Sequence, residues 1–177
     1  MTATDAASAA RAATDTAPIE RDALVPMEAR VPPPPRFAAV GAGRMGRGIA
    51  IAFAYAGHRI ALVDLRPRDP AAWQRLRAEA QAEIRASLAS LAQLGVLTEE
   101  RIETIAARVQ LVPAEGAREV LAAAELVFEG VPERMDAKRE AFEHLNLLCR
   151  DDAILTSTTS SILVTQLAAL VRRPERF

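Results

Sequence analysis

The six residues Gly41-Ala42-Gly43-Arg44-Met45-Gly46 stand where a short apolar run, Phe37-Ala38-Ala39-Val40, gives way to a helical pattern from Ile49 to Tyr55. Glycines spaced G-x-G-x-x-G between a strand and a helix suit one chemistry, the gripping of a pyrophosphate by backbone amides. In such a loop Gly41 turns tightly out of the strand, Gly43 lets phosphate oxygens reach the backbone, and Gly46 brings helix and strand together. Ala42, Arg44 and Met45 complete the loop and belong with it as candidate contacts. The next run, Arg59-Ile60-Ala61-Leu62-Val63, ends in Asp64, 18 residues beyond Gly46. That is close to the roughly 20 expected of a carboxylate that holds the ribose of a dinucleotide. A carboxylate so placed accepts from both adenosine ribose hydroxyls and repels a 2′-phosphate, which favours NAD over NADP. Arg66 and Arg68 follow it; the plainer reading makes them solvated loop arginines beside Pro67 and Pro70, the sharper one gives them to a 2′-phosphate.

Further along, Lys138 is the only lysine among 22 basic residues. Its helical neighbours three and four positions away are Arg134, Met135, Ala141 and Phe142. None of them neutralises an ammonium, so a partner is sought outside the helix. Pro132 and Glu133 suit the first turn of that helix, where a carboxylate complements the dipole. The hydroxyl run Thr156-Ser157-Thr158-Thr159-Ser160-Ser161 falls at the end of a strand-like stretch, the place where ligands gather in open α/β sheets. Ser160 or Ser161 also suits a helix cap. His58, before the second strand on the adenine side, and His144, within a helix, read as structural or solvent-facing, and no other group near neutral pKa offers itself for proton transfer.

Alternating β-type and helical stretches must position these residues. Strands are predicted near residues 36–41, 59–64, 109–112, 125–129 and 153–157 with helices between them, the pattern of a Rossmann-type, doubly wound, mostly parallel sheet. Between the second and third strands lie roughly 40 residues with Trp73, Leu76, Ile84, Leu88 and Leu91 at helical spacing and Gly95 as a stop. Thr98, capping with its hydroxyl ahead of Glu99 and Glu100, starts another helix, so an inserted helical hairpin is expected. The 177 residues, 50% hydrophobic and 25% charged, supply one core of ordinary size. With 22 basic against 23 acidic residues the net charge is −1, which excludes a basic field for nucleic acid or an anionic membrane. A lone Cys149 excludes an internal disulfide or a cysteine metal cluster and fits a reduced, cytoplasmic setting. No 18-residue apolar run appears that would span a bilayer. Residues 1–35 hold six of the 11 prolines and none of the eight glycines, which reads as a disordered Ala/Pro-rich tail ahead of a domain over residues 36–177. Asp5, Asp15, Glu20, Asp22 and Glu28 count against a targeting presequence there.

The strings GAGRMGRGIA, VDL, FEGVPERMDAKREAF, ILTSTTSSILVTQLA and RRPERF, in that order over residues 37–177, resemble the NAD-binding domain of the L-3-hydroxyacyl-CoA dehydrogenases. The resemblance implies NAD as cofactor and oxidation of a 3-hydroxyacyl-CoA to the 3-ketoacyl-CoA. It also implies a partner domain, helical, for dimerisation. On that resemblance Glu133 and Lys138 match residues contacting the nicotinamide half, and Ser160 matches a serine that meets both nicotinamide and substrate. Thr158 takes the place of the family's asparagine and offers one hydroxyl where an amide offers a carbonyl and an NH2. Ser87 matches a serine contacting CoA, while the family's CoA-binding lysine falls at Leu94. The family's proton-accepting histidine and the glutamate that orients it follow the PERF segment, and this chain stops at Phe177. NAD binding without turnover is therefore expected of the 177 residues alone, with a homodimer only in a longer form. A non-CoA hydroxyacid, gulonate- or carnitine-like, is the alternative substrate, and a non-catalytic nucleotide-binding fragment the alternative role. The β-hydroxyacid dehydrogenases, which share GxGxMG, are disfavoured because no glycine follows Gly130.

Overall fold

Five four-residue strands form where the apolar runs predict them: β1 (Phe37–Val40), β2 (Ile60–Val63), β3 (Val109–Val112), β4 (Leu126–Glu129) and β5 (Ile154–Ser157). The structure, a computed structural model, describes residues 32–177, so the expected tail lies almost wholly outside the described residues. Pro34–Phe177 is one compact unit. All five strands run parallel in the order β3-β2-β1-β4-β5. Strands β1 and β2 are covered on both faces, which is why they are uninterrupted apolar runs instead of alternating ones.

The register fixes what the cleft can contain. Val40 pairs with Val63 on one side and Glu129 on the other, Val63 with Val112, and Glu129 with Ser157. The carboxyl ends of the strands are therefore level, and the loops leaving β1, β2, β4 and β5 rise side by side. Because the chain leaves β1 for β2 on one side and returns to β4 on the other, a crevice opens above β1, the switch point of this topology.

Helices α1 (Arg44–Tyr55), α2 (Pro70–Gln93), α3 (Ile102–Ala106), α4 (Ala117–Ala123), α5 (Met135–Leu148) and α6 (Val164–Ala168) complete the unit. On one face Ala39, Ile60 and Leu62 meet Ala50 and Ala54 of α1, Ile84 and Leu88 of α2, and Ile105 of α3. On the other, Ala38, Val40, Ala61 and Val63 meet Leu121 of α4, Phe142 and Leu145 of α5, and Leu167 of α6. The inserted hairpin is present. Asp69 caps α2 by accepting from the Ala72 amide at 2.7 Å, with Pro70 at the first helical position, and Gly95 at φ 73° ends the hairpin's first arm. A short 3-10 turn, Glu99–Arg101, leads into α3, which Arg85 on α2 ties down through Glu103 at 2.8 Å. Thr98 stands at the start of that turn but its hydroxyl makes no capping bond, so the acids of the first turn, not the cap, mark this start. Among the described residues no helix is long and apolar enough to cross a membrane, and no His/Cys/Asp/Glu group could hold a metal ion.

Candidate functional site

A cleft of about 730 Å³ opens above the strand ends, walled by the glycine loop, by Asp64, Arg66 and Arg68, by Gly130–Glu133, and by Thr158 and Ser160. The three glycines of the loop are small for different reasons. Gly41 sits at φ 104°, and a Cβ there would lie 2.7 Å from the Gly130 carbonyl oxygen. A Cβ on Gly46 would lie 2.0 Å from the Gly41 carbonyl oxygen, so the protein's own backbone demands both glycines. At Gly43 a Cβ would meet nothing within 4 Å, and φ is an ordinary −83°. Nothing in the protein forbids a side chain at Gly43; the empty space is cleft. Gly43 is also the N-cap of α1, it brings no side-chain acceptor, and α1 carries no acid in its first turn. The amides of that turn have no intrahelical acceptor and face the cleft's glycine rim.

Asp64 follows β2 and is 6% exposed. The guanidinium of Arg68 ion-pairs with its carboxylate, and the Arg66 amide lies 3.5 Å from the other oxygen. Arg66 is exposed, as a solvated loop arginine should be; Arg68 is not, because it folds back onto the acid four residues before it. Arg47, which the sequence did not single out, lines the same wall while buried against Glu79 at 3.0 Å and Glu83, both on α2.

At the other end of the cleft a buried ionic network joins β4, β5 and α5. Lys138 and Glu129 are both fully buried, and the ammonium lies 2.9 and 3.1 Å from the two Glu129 oxygens and 3.1 Å from Glu133. Glu129 also accepts from the Ser157 hydroxyl at 2.5 Å and the Val131 amide at 2.8 Å. The partner sought for Lys138 is thus an acid at the end of β4, which sequence reasoning missed. The available signal was the lysine itself, since a helical ammonium without a helical partner must find a carboxylate elsewhere.

Glu133 lies in the β4–α5 loop. Helix α5 begins at Met135 behind Arg134, so the first-turn placement expected for Pro132 and Glu133 does not occur. One Glu133 oxygen instead accepts from the Thr159 hydroxyl at 2.7 Å and, each at 2.9 Å, from the Ser160 amide, the Ser161 amide and the Ser161 hydroxyl. The Ser161 amide first, then the Thr159 hydroxyl and the Ser160 amide, with Lys138 behind them, hold this carboxyl far below the usual range. The cap expected from Ser160 or Ser161 does not form: Leu163 is the N-cap of α6 and no side chain caps that helix, while in the loop before it the Thr159 hydroxyl accepts from the Ile162 amide at 3.2 Å.

Gly41, Ala42, Gly43, Arg44, Met45, Asp64, Glu133 and Ser160 all line the cleft. Gly46 and Lys138 stand behind it as packing and as countercharge, and Ser87 is exposed on α2 away from it. His58 sits at the amino end of β2, the end of the strand opposite the cleft, its ring 5.1 Å from Phe37 and 6.2 Å from Phe53. His144, read from the sequence as structural or solvent-facing, borders the cleft on the α5 wall with Ala137 and Ala141. Burial pushes the Cys149 thiol up to about 12, which leaves no thiolate at neutral pH.

Residues 36–177 match the family model described as 3-hydroxyacyl-CoA dehydrogenase, NAD binding domain. A 3-hydroxyadipyl-CoA dehydrogenase of Escherichia coli K12 is 37% identical over 143 residues, 78% of this chain and 27% of the relative. A probable 3-hydroxybutyryl-CoA dehydrogenase of Bacillus subtilis is 34% identical over 77% of this chain and 44% of its own length. The crystal structure of (S)-3-hydroxybutyryl-CoA dehydrogenase from Ralstonia eutropha matches with a TM-score of 0.66 at 33% identity, covering 81% of this chain and 47% of that one. An NAD+-dependent 5-dehydrogenase of a formyl-hydroxymethylpyridine carboxylic acid matches at a TM-score of 0.59 and 28% identity, over 79% of this chain and 41% of that one. The chain spans less than half the length of each of these proteins. With sheet order, cleft position and sequence match in agreement over one continuous stretch, the chain belongs to the 3-hydroxyacyl-CoA dehydrogenase family through its NAD-binding domain.

Proposed function

We propose that the cleft binds NAD and that this domain serves an oxidoreductase converting a 3-hydroxyacyl-CoA to the 3-ketoacyl-CoA. The observation that carries the reading is Gly43: a glycine that no protein atom requires, at the unanswered N-terminus of α1, in a wall that also presents Asp64. Amides of the Gly41–Gly46 loop would hold the pyrophosphate, and Asp64 the adenosine ribose. The nicotinamide end would lie toward Gly130–Glu133 and Ser160. Bound NAD supplies the hydride acceptor, and the protein's task is orientation and management of the proton. Ser160 offers a hydroxyl to the substrate's 3-oxygen. Glu133 fixes that serine by its amide, and Lys138 fixes Glu133.

The carboxylate nearest Ser160 is a poor proton acceptor, because five donors already stabilise its ionised form. Neither histidine is hydrogen-bonded to the Thr156–Ser161 run in the described residues. The 177-residue polypeptide is therefore expected to bind NAD in a calorimeter and to form no NADH with 3-hydroxybutyryl-CoA. Turnover at an appreciable rate would overturn this division of labour, and absence of binding heat would overturn the whole reading.

A hydroxyacid not carried on CoA is a second reading. It is favoured by Ser87 lying outside the cleft, by the exposed Leu94 where the family places a lysine, and by the fold match to a dehydrogenase of a pyridine carboxylic acid. Titrating the NAD-loaded protein with acetoacetyl-CoA and with free acetoacetate separates the two. An acyl-CoA as small-molecule partner, a homodimer in a longer form of the protein, and a cytoplasmic setting accompany the first reading.

A further inference from the structure

Arg68 lines the cleft with a charge that the NAD reading leaves unused. Its guanidinium is paired with Asp64, the carboxylate assigned to the ribose, and Asp64 is its sole side-chain partner among the described residues. Arg66, one residue beyond Leu65, lines the same wall with an exposed side chain. Two guanidinium groups thus flank the position where the adenosine ribose would rest, one silenced and the other in solvent. A guanidinium is the side chain best suited to a phosphomonoester, because its fork of N–H donors matches phosphate oxygens two at a time. What keeps a 2′-phosphate out is then a single group. The Asp64 carboxylate repels it and at the same time neutralises the cation that would receive it.

We propose that Arg68 is a latent 2′-phosphate site, held silent by its ion pair with Asp64, so that loss of that one carboxylate opens the cleft to NADP. The inference rests on the coenzyme reading above and adds to it a second specificity determinant. In the wild-type chain the ribose hydroxyls and Arg68 compete for the same carboxylate, and a 2′-phosphate meets a neutralised arginine. In Asp64→Asn the side-chain volume is kept, the negative charge is gone, and Arg68 is free to turn to the phosphate, with Arg66 adding its field.

The experiment is calorimetric titration of the full 177-residue chain with NAD and with NADP, for wild type, Asp64→Asn and Asp64→Asn/Arg68→Ala, each checked for folding by circular dichroism. Wild type is expected to bind NAD at least tenfold more tightly than NADP. Asp64→Asn is expected to bind NADP at least tenfold more tightly than wild type does, with a gain that fades as salt rises, and the double variant to lose most of that gain. A double variant that keeps the gain would overturn the proposal, since relief of repulsion alone would then suffice. So would Asp64→Asn showing no gain while wild type binds NAD. Wild type binding neither nucleotide would instead remove the coenzyme reading itself. Asp64→Ser repeats the measurement should the asparagine variant fail to fold.

Discussion

Three glycines in one loop look alike as letters and are unlike as chemistry. Gly46→Ala would drive a methyl group to 2.0 Å from a backbone oxygen, which cannot move without separating β1 from α1. Overpacking of this kind costs about 1–3 kcal/mol or more, so a fall in urea midpoint is expected. Gly43→Ala places its methyl in open space at an allowed φ. Its thermal midpoint is expected to stay within about 2 °C of wild type, a change of no more than about 1 kcal/mol at the roughly 2–4 °C per kcal/mol usual for chains of this length, while NAD affinity falls at least tenfold. If Gly43→Ala binds NAD as wild type does, the pyrophosphate does not lie against that residue. Asp64 and Arg68 make the same point for charge: spacing along the chain located the carboxylate, but only the folded loop reveals that it already has a partner.

Strand ends and loops meet in the Glu129–Lys138 pair, so its energetics belong to the elements it joins: β4, β5 and α5. Removing one partner of a buried pair strands the other, at a cost of about 3–5 kcal/mol. Glu129→Gln and Lys138→Met are each expected to destabilise the chain by amounts of that order in urea unfolding. The double variant should lose clearly less than the sum, because neither charge is then left alone. Strict additivity would mean that the two groups do not depend on each other. Glu133→Gln leaves the Glu129–Lys138 pair in place and acts on the Ser160 loop.

At the scale of the whole molecule the same loop couples stability to acid. The native state holds the Glu133 carboxyl ionised far below its ordinary value, so it binds fewer protons than the unfolded chain as pH falls through the carboxylate range near ~4.3. Its contribution is therefore fully present above that range and is lost on acidification, as the native carboxyl itself takes up a proton. Exposed acids such as Glu103 and Glu125, each lowered first by a hydrogen-bonded arginine, add to the acid limb of wild type and of a variant alike. The difference in thermal midpoint between wild type and Glu133→Gln is thus expected to be largest near neutrality and to shrink below about pH 4. A gap that is constant with pH would show that the carboxyl's ionisation does not stabilise the fold.

The strands, their alternation with helices, the inserted hairpin and the glycine loop were legible in the sequence because each rests on short-range pattern: apolar runs of four, helical spacing, a glycine where the backbone must turn. Asp64 was legible for the same reason, as an acid at the end of an apolar run. The pairing of Glu129 with Ser157, 28 residues apart, and of Glu129 with Lys138 on the next helix was decided by the lateral register of β4 against β5 and by the packing of α5, neither of which four-residue strands specify on their own. The same holds for His144, whose place on the cleft wall depends on which way α5 lies over the sheet. Local chemistry named the loop that lines the cleft, and only tertiary contacts determined which charges around it were already spoken for.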